Sequence, residues 1–168
     1  MGLSLQRMLQ YLYICAMKSV LFVCLGNICR SPMAHGIFRD KAMREGLNFE
    51  IESAGTIATH NGEHADIRAI STLQAKGIDI MDLRSRLFIE SDFDTYDYIV
   101  TMDAENQRNV TKMANRIGHS NQPEMVMNYA FPNENISVPD PYYGGQTGFE
   151  DVFKMLDGAL DELIKKMR

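Results

Sequence analysis

Residues 19–24 read Ser-Val-Leu-Phe-Val-Cys, six residues without a charge, and a loop beginning Leu25-Gly26-Asn27 follows directly. So short and continuous an apolar run leaves no face for water, which predicts a strand buried on both sides, as in a parallel sheet. Pro32 then fits the first turn of a helix, because it lacks the N–H that such a turn cannot use. Met33, Ala34, Ile37, Phe38, Ala42 and Met43 follow at helical spacing, and Gly46 closes the segment. The chain therefore starts its fold with a strand, a tight loop and a helix. That order excludes an all-β or a simple helical architecture.

The remainder repeats the alternation. A second strand is expected over 48–53. A helix is expected over 66–76, with Ile67, Ile70 and Leu73 on one face and Gly77 after it. Tyr98–Met102 reads as a third strand and 103–115 as a helix with an acidic start. Residues 125–127 read as a fourth strand, and 128–146 are rich in Pro and Gly. The last helix is expected over 149–166, with Val152, Leu156, Leu160 and Leu163 along its apolar side. Strands alternating with helices indicate an α/β domain with a parallel sheet. A length of 168 residues suits one core, placed at 18–168 behind an N-terminal extension over 1–17. The extension is apolar from Met8 to Met17, but Gln10 interrupts it and Ile14 with Ala16 is a poor cleavage pair, so no secretory signal is expected. No apolar run reaches the roughly 18 residues of a membrane span.

Net charge is −5, which argues against nucleic acid as a partner, since that needs a basic face. There are 3 cysteines, Cys15, Cys24 and Cys29, too few for a disulfide framework and without zinc-ligand spacing. No metal and no cofactor is expected. A reducing, cytoplasmic location and a thiol used for chemistry fit better.

The loop itself reads Cys24-Leu25-Gly26-Asn27-Ile28-Cys29-Arg30-Ser31. Backbone N–H groups of a tight loop entering a helix converge on an anion, and the helix N-terminus adds positive potential. Gly26 lets the backbone turn closely and Asn27 tolerates left-handed geometry. Arg30 can hold two phosphate oxygens with its planar fork. The same field favours the thiolate of Cys24. Ser31 is placed to donate to the sulfur. A Cys and an Arg six apart arise by chance in about one chain in six at this composition. The setting between strand and helix, with Gly, Asn, Ser and Pro in place, is what makes the pattern specific.

This loop and Pro32 resemble the low-molecular-weight protein tyrosine phosphatases. Glu52-Ser-Ala-Gly-Thr56, Met102-Asp-x-x-Asn106 and Asp140-Pro-Tyr-Tyr-Gly144 match further motifs of that family, so the likeness covers roughly residues 18–167. It implies a three-layer α/β/α, flavodoxin-like phosphatase fold with a four-stranded parallel sheet. It implies Cys24 as nucleophile, Arg30 as phosphate clamp and Asp140 as general acid, then base. Leu25, Gly26, Asn27, Ile28, Cys29 and Ser31 would form the phosphate-binding loop. Asn27, Ser31 and Ser53 would form the network that supports it. Tyr142 and Tyr143 would line the substrate entrance, and Cys29 would form a reversible disulfide with Cys24. The substrate would be a phosphotyrosine protein or a small aryl phosphate, acted on by a monomer or weak dimer with no membrane partner.

Two relatives compete. Thioredoxin-coupled arsenate reductases of the same fold relay a disulfide through later cysteines, and none follows Cys29. Arginine phosphatases carry Thr where Ile28 stands, and an apolar residue favours an aryl group. A non-catalytic phosphoprotein-binding module would lack Cys24 or Asp140. Three positions depart from the family pattern: His35 stands for Glu, His60 for an aromatic, and Leu83 for a His that supports the loop. His60, His64 and His119 are read as surface residues, and Asp103 as a helix cap.

Overall fold

A computed structural model describes residues 17–168. The extension expected over 1–17 lies, apart from Met17, outside the described residues. The chain forms β1 (Ser19–Cys24), α1 (Arg30–Arg44), β2 (Glu50–Gly55), α2 (Ile67–Gln74), α3 (Asp92–Thr95), β3 (Tyr98–Thr101), α4 (Ala104–Ile117), β4 (Glu124–Met125) and α5 (Gln146–Met167). The four strands are parallel in the order β2-β1-β3-β4. This is the expected four-stranded, three-layer fold.

β1 is buried at every residue because it lies inside the sheet. Its alternation divides the core. Val20, Phe22 and Cys24 join the cluster filled by α1, α2 and α5, while Leu21 and Val23 join Phe93, Val110 and Ala114 from α3 and α4. Side chains of period two on a central strand thus serve both layers.

Several boundaries move. β2 spans 50–55 rather than 48–53, since its pairing follows β1 from Ser19↔Glu50 to Cys24↔Gly55. The fourth strand keeps only Glu124 and Met125, and Val126–Tyr129 wind into a 3₁₀ turn that buries Val126 and Met127. α3 has no counterpart in the sequence reading, being a single turn without helical periodicity. α5 starts one turn early, at Gln146.

His35 sits on α1 and is 4% exposed. Its Nδ1 lies 3.8 Å from Glu52 Oε1, beyond hydrogen-bond range, and has no partner among the described residues. Burial first, and then the Arg39 charge, push its pKa down to about 4, with Asp82 opposing. Above pH 6.5 His35 is neutral whether folded or unfolded; between pH 6.5 and 4 only the unfolded chain takes up the proton. Stability is therefore lost as pH falls through that window, by about 3 kcal/mol over its full width. His35→Leu should remove about 2 kcal/mol of the stability difference between pH 7 and pH 4.5. Urea unfolding of both proteins at the two pH values checks this, and parallel losses would refute it.

Candidate active site

Cys24 ends β1 and Arg30 opens α1, so the loop between them lies at the carboxyl edge of the sheet, where parallel sheets bind ligands. The segment after β2 fastens the loop. Thr56 N–H donates to Cys24 O at 3.0 Å, Ile57 N–H to Leu25 O at 3.1 Å, and Asp66 N–H to Ile28 O at 2.7 Å. Gly55 permits this approach: a Cβ there would lie 2.7 Å from Leu25 O and 3.1 Å from Asn27 N. The left-handed turn falls on Asn27, at φ 54°. Gly26 matters for space instead, since its Cβ would stand 3.0 Å from His60 Cδ2.

Asn27 Nδ2 donates to Ser31 Oγ at 2.8 Å, and Asn27 Oδ1 accepts from Arg86 N–H at 3.0 Å. Ser85 Oγ donates to Gly26 O at 3.0 Å. Asn27 and Ser31 thus form the expected network, but Ser53 does not enter it. The Ser53 N–H bonds the Glu52 carboxylate, its hydroxyl makes no hydrogen bond to the loop, and Ser31 faces the Ala54 carbonyl. Ser85 and Arg86 take up the support instead, next to the aliphatic and buried Leu83. Nothing in the local sequence marks them, because the segment reaches the loop only through the folded register of residues 85–88 beside Gly55.

The sulfur of Cys24 lies 3.1 Å from Ser31 Oγ and 3.3 Å from Asn27 N, whose N–H points at it. The single Ser31 hydroxyl proton has two acceptors in reach, the sulfur and the Ala54 carbonyl at 3.4 Å, so the Asn27 N–H is the fixed donor to the sulfur. Cys29 is also buried, and that burial, reinforced by the charges of Asp66, Cys24 and Asp140, pushes its thiol well above the usual range. Two free, buried thiols stand in one loop.

Arg30 is 2% exposed. Its Nη1 pairs with Asp103 and donates to Val138 O at 3.1 Å, and its Nη2 donates to Asp140 Oδ2 at 2.8 Å. Nε has no partner among the described residues. Asp103 does more than cap a helix: Oδ1 accepts from Asn106 N–H at 2.7 Å while Oδ2 holds the guanidinium. Asp140 is aimed from both sides, with Oδ1 accepting from Tyr142 N–H at 3.0 Å.

A cleft of about 340 Å³ joins these groups, lined by Cys24, the loop, Arg30, Ile57, His60, Asp140, Tyr142 and Tyr143. His60 is thus a wall of the site and not merely a surface residue; its Nδ1 lies 2.8 Å from Glu63 and its ring 6.5 Å from that of Tyr142. A wider cleft of about 670 Å³ lies beside β2 and is lined by His35, Glu52, Asp82 and Ser85, away from Cys24 and Asp140. Among the described residues no group of three His, Cys, Asp or Glu side chains is placed to hold a metal, and no helix is long and apolar enough to cross a membrane.

A family model described as low molecular weight phosphotyrosine protein phosphatase matches residues 19–168. A low molecular weight phosphotyrosine protein phosphatase of Schizosaccharomyces pombe is 43% identical over 154 residues, 88% of this chain and 96% of that one. The crystal structure of a protein tyrosine phosphatase from Entamoeba histolytica superposes with a TM-score of 0.81 at 34% identity, covering 89% and 96% of the two chains. A Drosophila arginine phosphatase superposes with a TM-score of 0.83 at 27% identity, covering 89% and 97%.

Gly55→Ala should push the loop off its backbone seat. The expected cost is about 1–3 kcal/mol of stability, with a weaker affinity for phosphate as a competitive ligand. Thermal melting and inhibition by inorganic phosphate measure both, and unchanged values would show that the contact yields freely.

Proposed function

This chain belongs to the low-molecular-weight phosphotyrosine protein phosphatase family, and from that premise we propose that its own cleft hydrolyses phosphotyrosine and other aryl phosphate monoesters through a phosphocysteine. The carrying observation is one cleft lined by Cys24, Arg30 and Asp140, with an Arg30 Nε that has no partner among the described residues.

A phosphate seated in the loop meets converging backbone N–H groups and the fork of Arg30. Nε and Nη2 serve its oxygens, while Asp103 and Val138 keep Nη1 in place. Asp140 then gives up Nη2 and turns to the ester oxygen. The Cys24 thiolate attacks phosphorus as the P–O bond to the aryl group breaks, and Asp140 gives the leaving oxygen its proton. In the second step Asp140 takes a proton from water, the water oxygen attacks phosphorus, and the P–S bond breaks to return thiolate and inorganic phosphate. The Asn27 N–H stabilises the departing sulfur as it stabilises the resting one.

Ile28, Ile57, Tyr142 and Tyr143 give the mouth an apolar and aromatic wall suited to a phenyl ring. A phosphorylated guanidinium would be better served by a hydroxyl where the apolar Ile28 lines the cleft. The natural substrate is read as a protein bearing phosphotyrosine, in a reducing cytoplasmic setting that keeps Cys24 and Cys29 as thiols, with the enzyme a monomer or weak dimer.

Hydrolysis of 4-nitrophenyl phosphate should proceed in EDTA. Cys24→Ser should abolish it, and Asp140→Ala should lower it by about two orders of magnitude. Turnover by Cys24→Ser, or a strict metal requirement, would overturn the assignment. Mild peroxide should yield a Cys24–Cys29 crosslink by peptide mass spectrometry, reversed by dithiothreitol. Sulfonic acid at Cys24 beside a free Cys29 is the contrary result.

A further inference from the structure

Residues 140–144 form no helix or strand, yet they carry the group that must meet the leaving oxygen. Among the described residues, the side chains that hydrogen-bond this segment from outside are Arg30 and Arg68. Arg68 stands on α2 and is not among the residues that line the cleft. Its Nη1 donates to Tyr142 O at 3.1 Å and to Gly144 O at 3.2 Å. Its Nε and Nη2 grip the Asp66 carboxylate at 2.9 and 2.7 Å. Its guanidinium lies 5.5 Å from the Tyr142 ring centroid and 4.8 Å from that of Phe149, within cation–π range of both rings. Asp66 in turn donates its backbone N–H to Ile28 O of the phosphate loop.

These contacts form one continuous path. It runs from the Ile28 carbonyl to Asp66, through the planar fork of Arg68 to the Tyr142 carbonyl, and from the Tyr142 N–H to Asp140 Oδ1. Both ends are catalytic: one is the loop that carries the thiol, the other the carboxyl that carries the proton. In the free enzyme Arg30 also ties Asp140 down. Once Arg30 turns to a phosphate that tie is released, and the side-chain contacts to 140–144 are those of Arg68.

We propose that Arg68 is a positioning residue for the general-acid step, spacing Asp140 from the phosphate loop through Tyr142 and Gly144. The proposal rests on Asp140 being the general acid. A fork is required, because one side chain must reach a carboxylate and two carbonyls in one plane. Lysine keeps the charge but lacks the plane.

The test compares wild type, Arg68→Gln, Arg68→Lys, Asp140→Asn and the double variant Arg68→Gln/Asp140→Asn on a series of aryl phosphates running from 4-nitrophenyl to unsubstituted phenyl. With the acid in place the leaving oxygen departs as a neutral phenol, and rates depend weakly on the leaving group. Both Arg68 variants should lose at least about tenfold more kcat on phenyl phosphate than on 4-nitrophenyl phosphate, as misplacement of a catalytic group by a fraction of an ångström does. The double variant should be no slower than Asp140→Asn alone. Alkylation of Cys24 by iodoacetate and inhibition by vanadate should be unchanged, showing an intact phosphate loop. Equal losses across the series, no loss, or a further loss in the double variant would overturn the role of Arg68. A flat series for Asp140→Asn would instead overturn the acid assignment, and the two failures read out on different proteins. Should Arg68→Gln fail to fold, Arg68→Lys carries the same comparison.

Discussion

A guanidinium that is almost wholly buried must be met by opposite charge and by carbonyls, or the fold cannot carry it. Arg30 meets that demand with three partners from two distant segments: Asp103 at the start of α4, and Val138 and Asp140 in the loop before α5. The first residue of α1 therefore draws the ends of three elements to one point. That requirement explains why Asp103 has two jobs, capping α4 with one oxygen and holding Arg30 with the other. It also explains why Val138 is fully buried in an otherwise irregular stretch, its N–H bonded to Met102 O and its carbonyl to the arginine.

The sheet makes this convergence possible. Parallel strands end at the same edge, so Cys24, Gly55 and Thr101 finish side by side. The loop after β1 is then not held by its own sequence alone. Gly55 admits its backbone, residues 56 and 57 bond its first two carbonyls, and Ser85 and Arg86 fix its middle. A loop pinned on all sides keeps its N–H groups aimed without rearrangement when charge develops, which is what electrostatic stabilisation requires.

Reading from sequence succeeded where the signal was local. The six-residue apolar run gave β1, and the residues from Cys24 to Pro32 gave the strand–loop–helix unit together with the nucleophile and clamp. The resemblance carried Asp140 and the tyrosines. It failed where the cause was a partner far along the chain. Ser53 looked like a support by motif, but the ladder hands the contact to the Ala54 carbonyl and Ser85. Leu83 looked like a missing strut, while the replacement stood two residues further on, in a side chain whose direction only the fold determines. His60 looked like surface until its ring was found against Gly26 and facing Tyr142. Arg68 carried no signal, since the two loop carbonyls it holds lie more than seventy residues away, while its carboxylate partner Asp66 is an ordinary near neighbour.

The resting contacts also bear on the order of events. Nη2 carries two N–H groups and gives one to Asp140, so a phosphate seated on Nε and Nη2 competes with Asp140 at that nitrogen, one anion exchanging for another. The exchange lowers the net cost of binding for a group that brings at least two oxygens to the fork, and a single carboxylate gains much less from it. The displaced carboxyl is left beside the arriving phosphate, where the first step uses it as the acid. It does not leave the site, because the Tyr142 N–H still donates to its other oxygen and Arg68 still holds the Tyr142 carbonyl. Substrate binding thus frees the acid by one bond and retains it by another, and the phosphate that Arg30 selects is the same group that sets Asp140 in position.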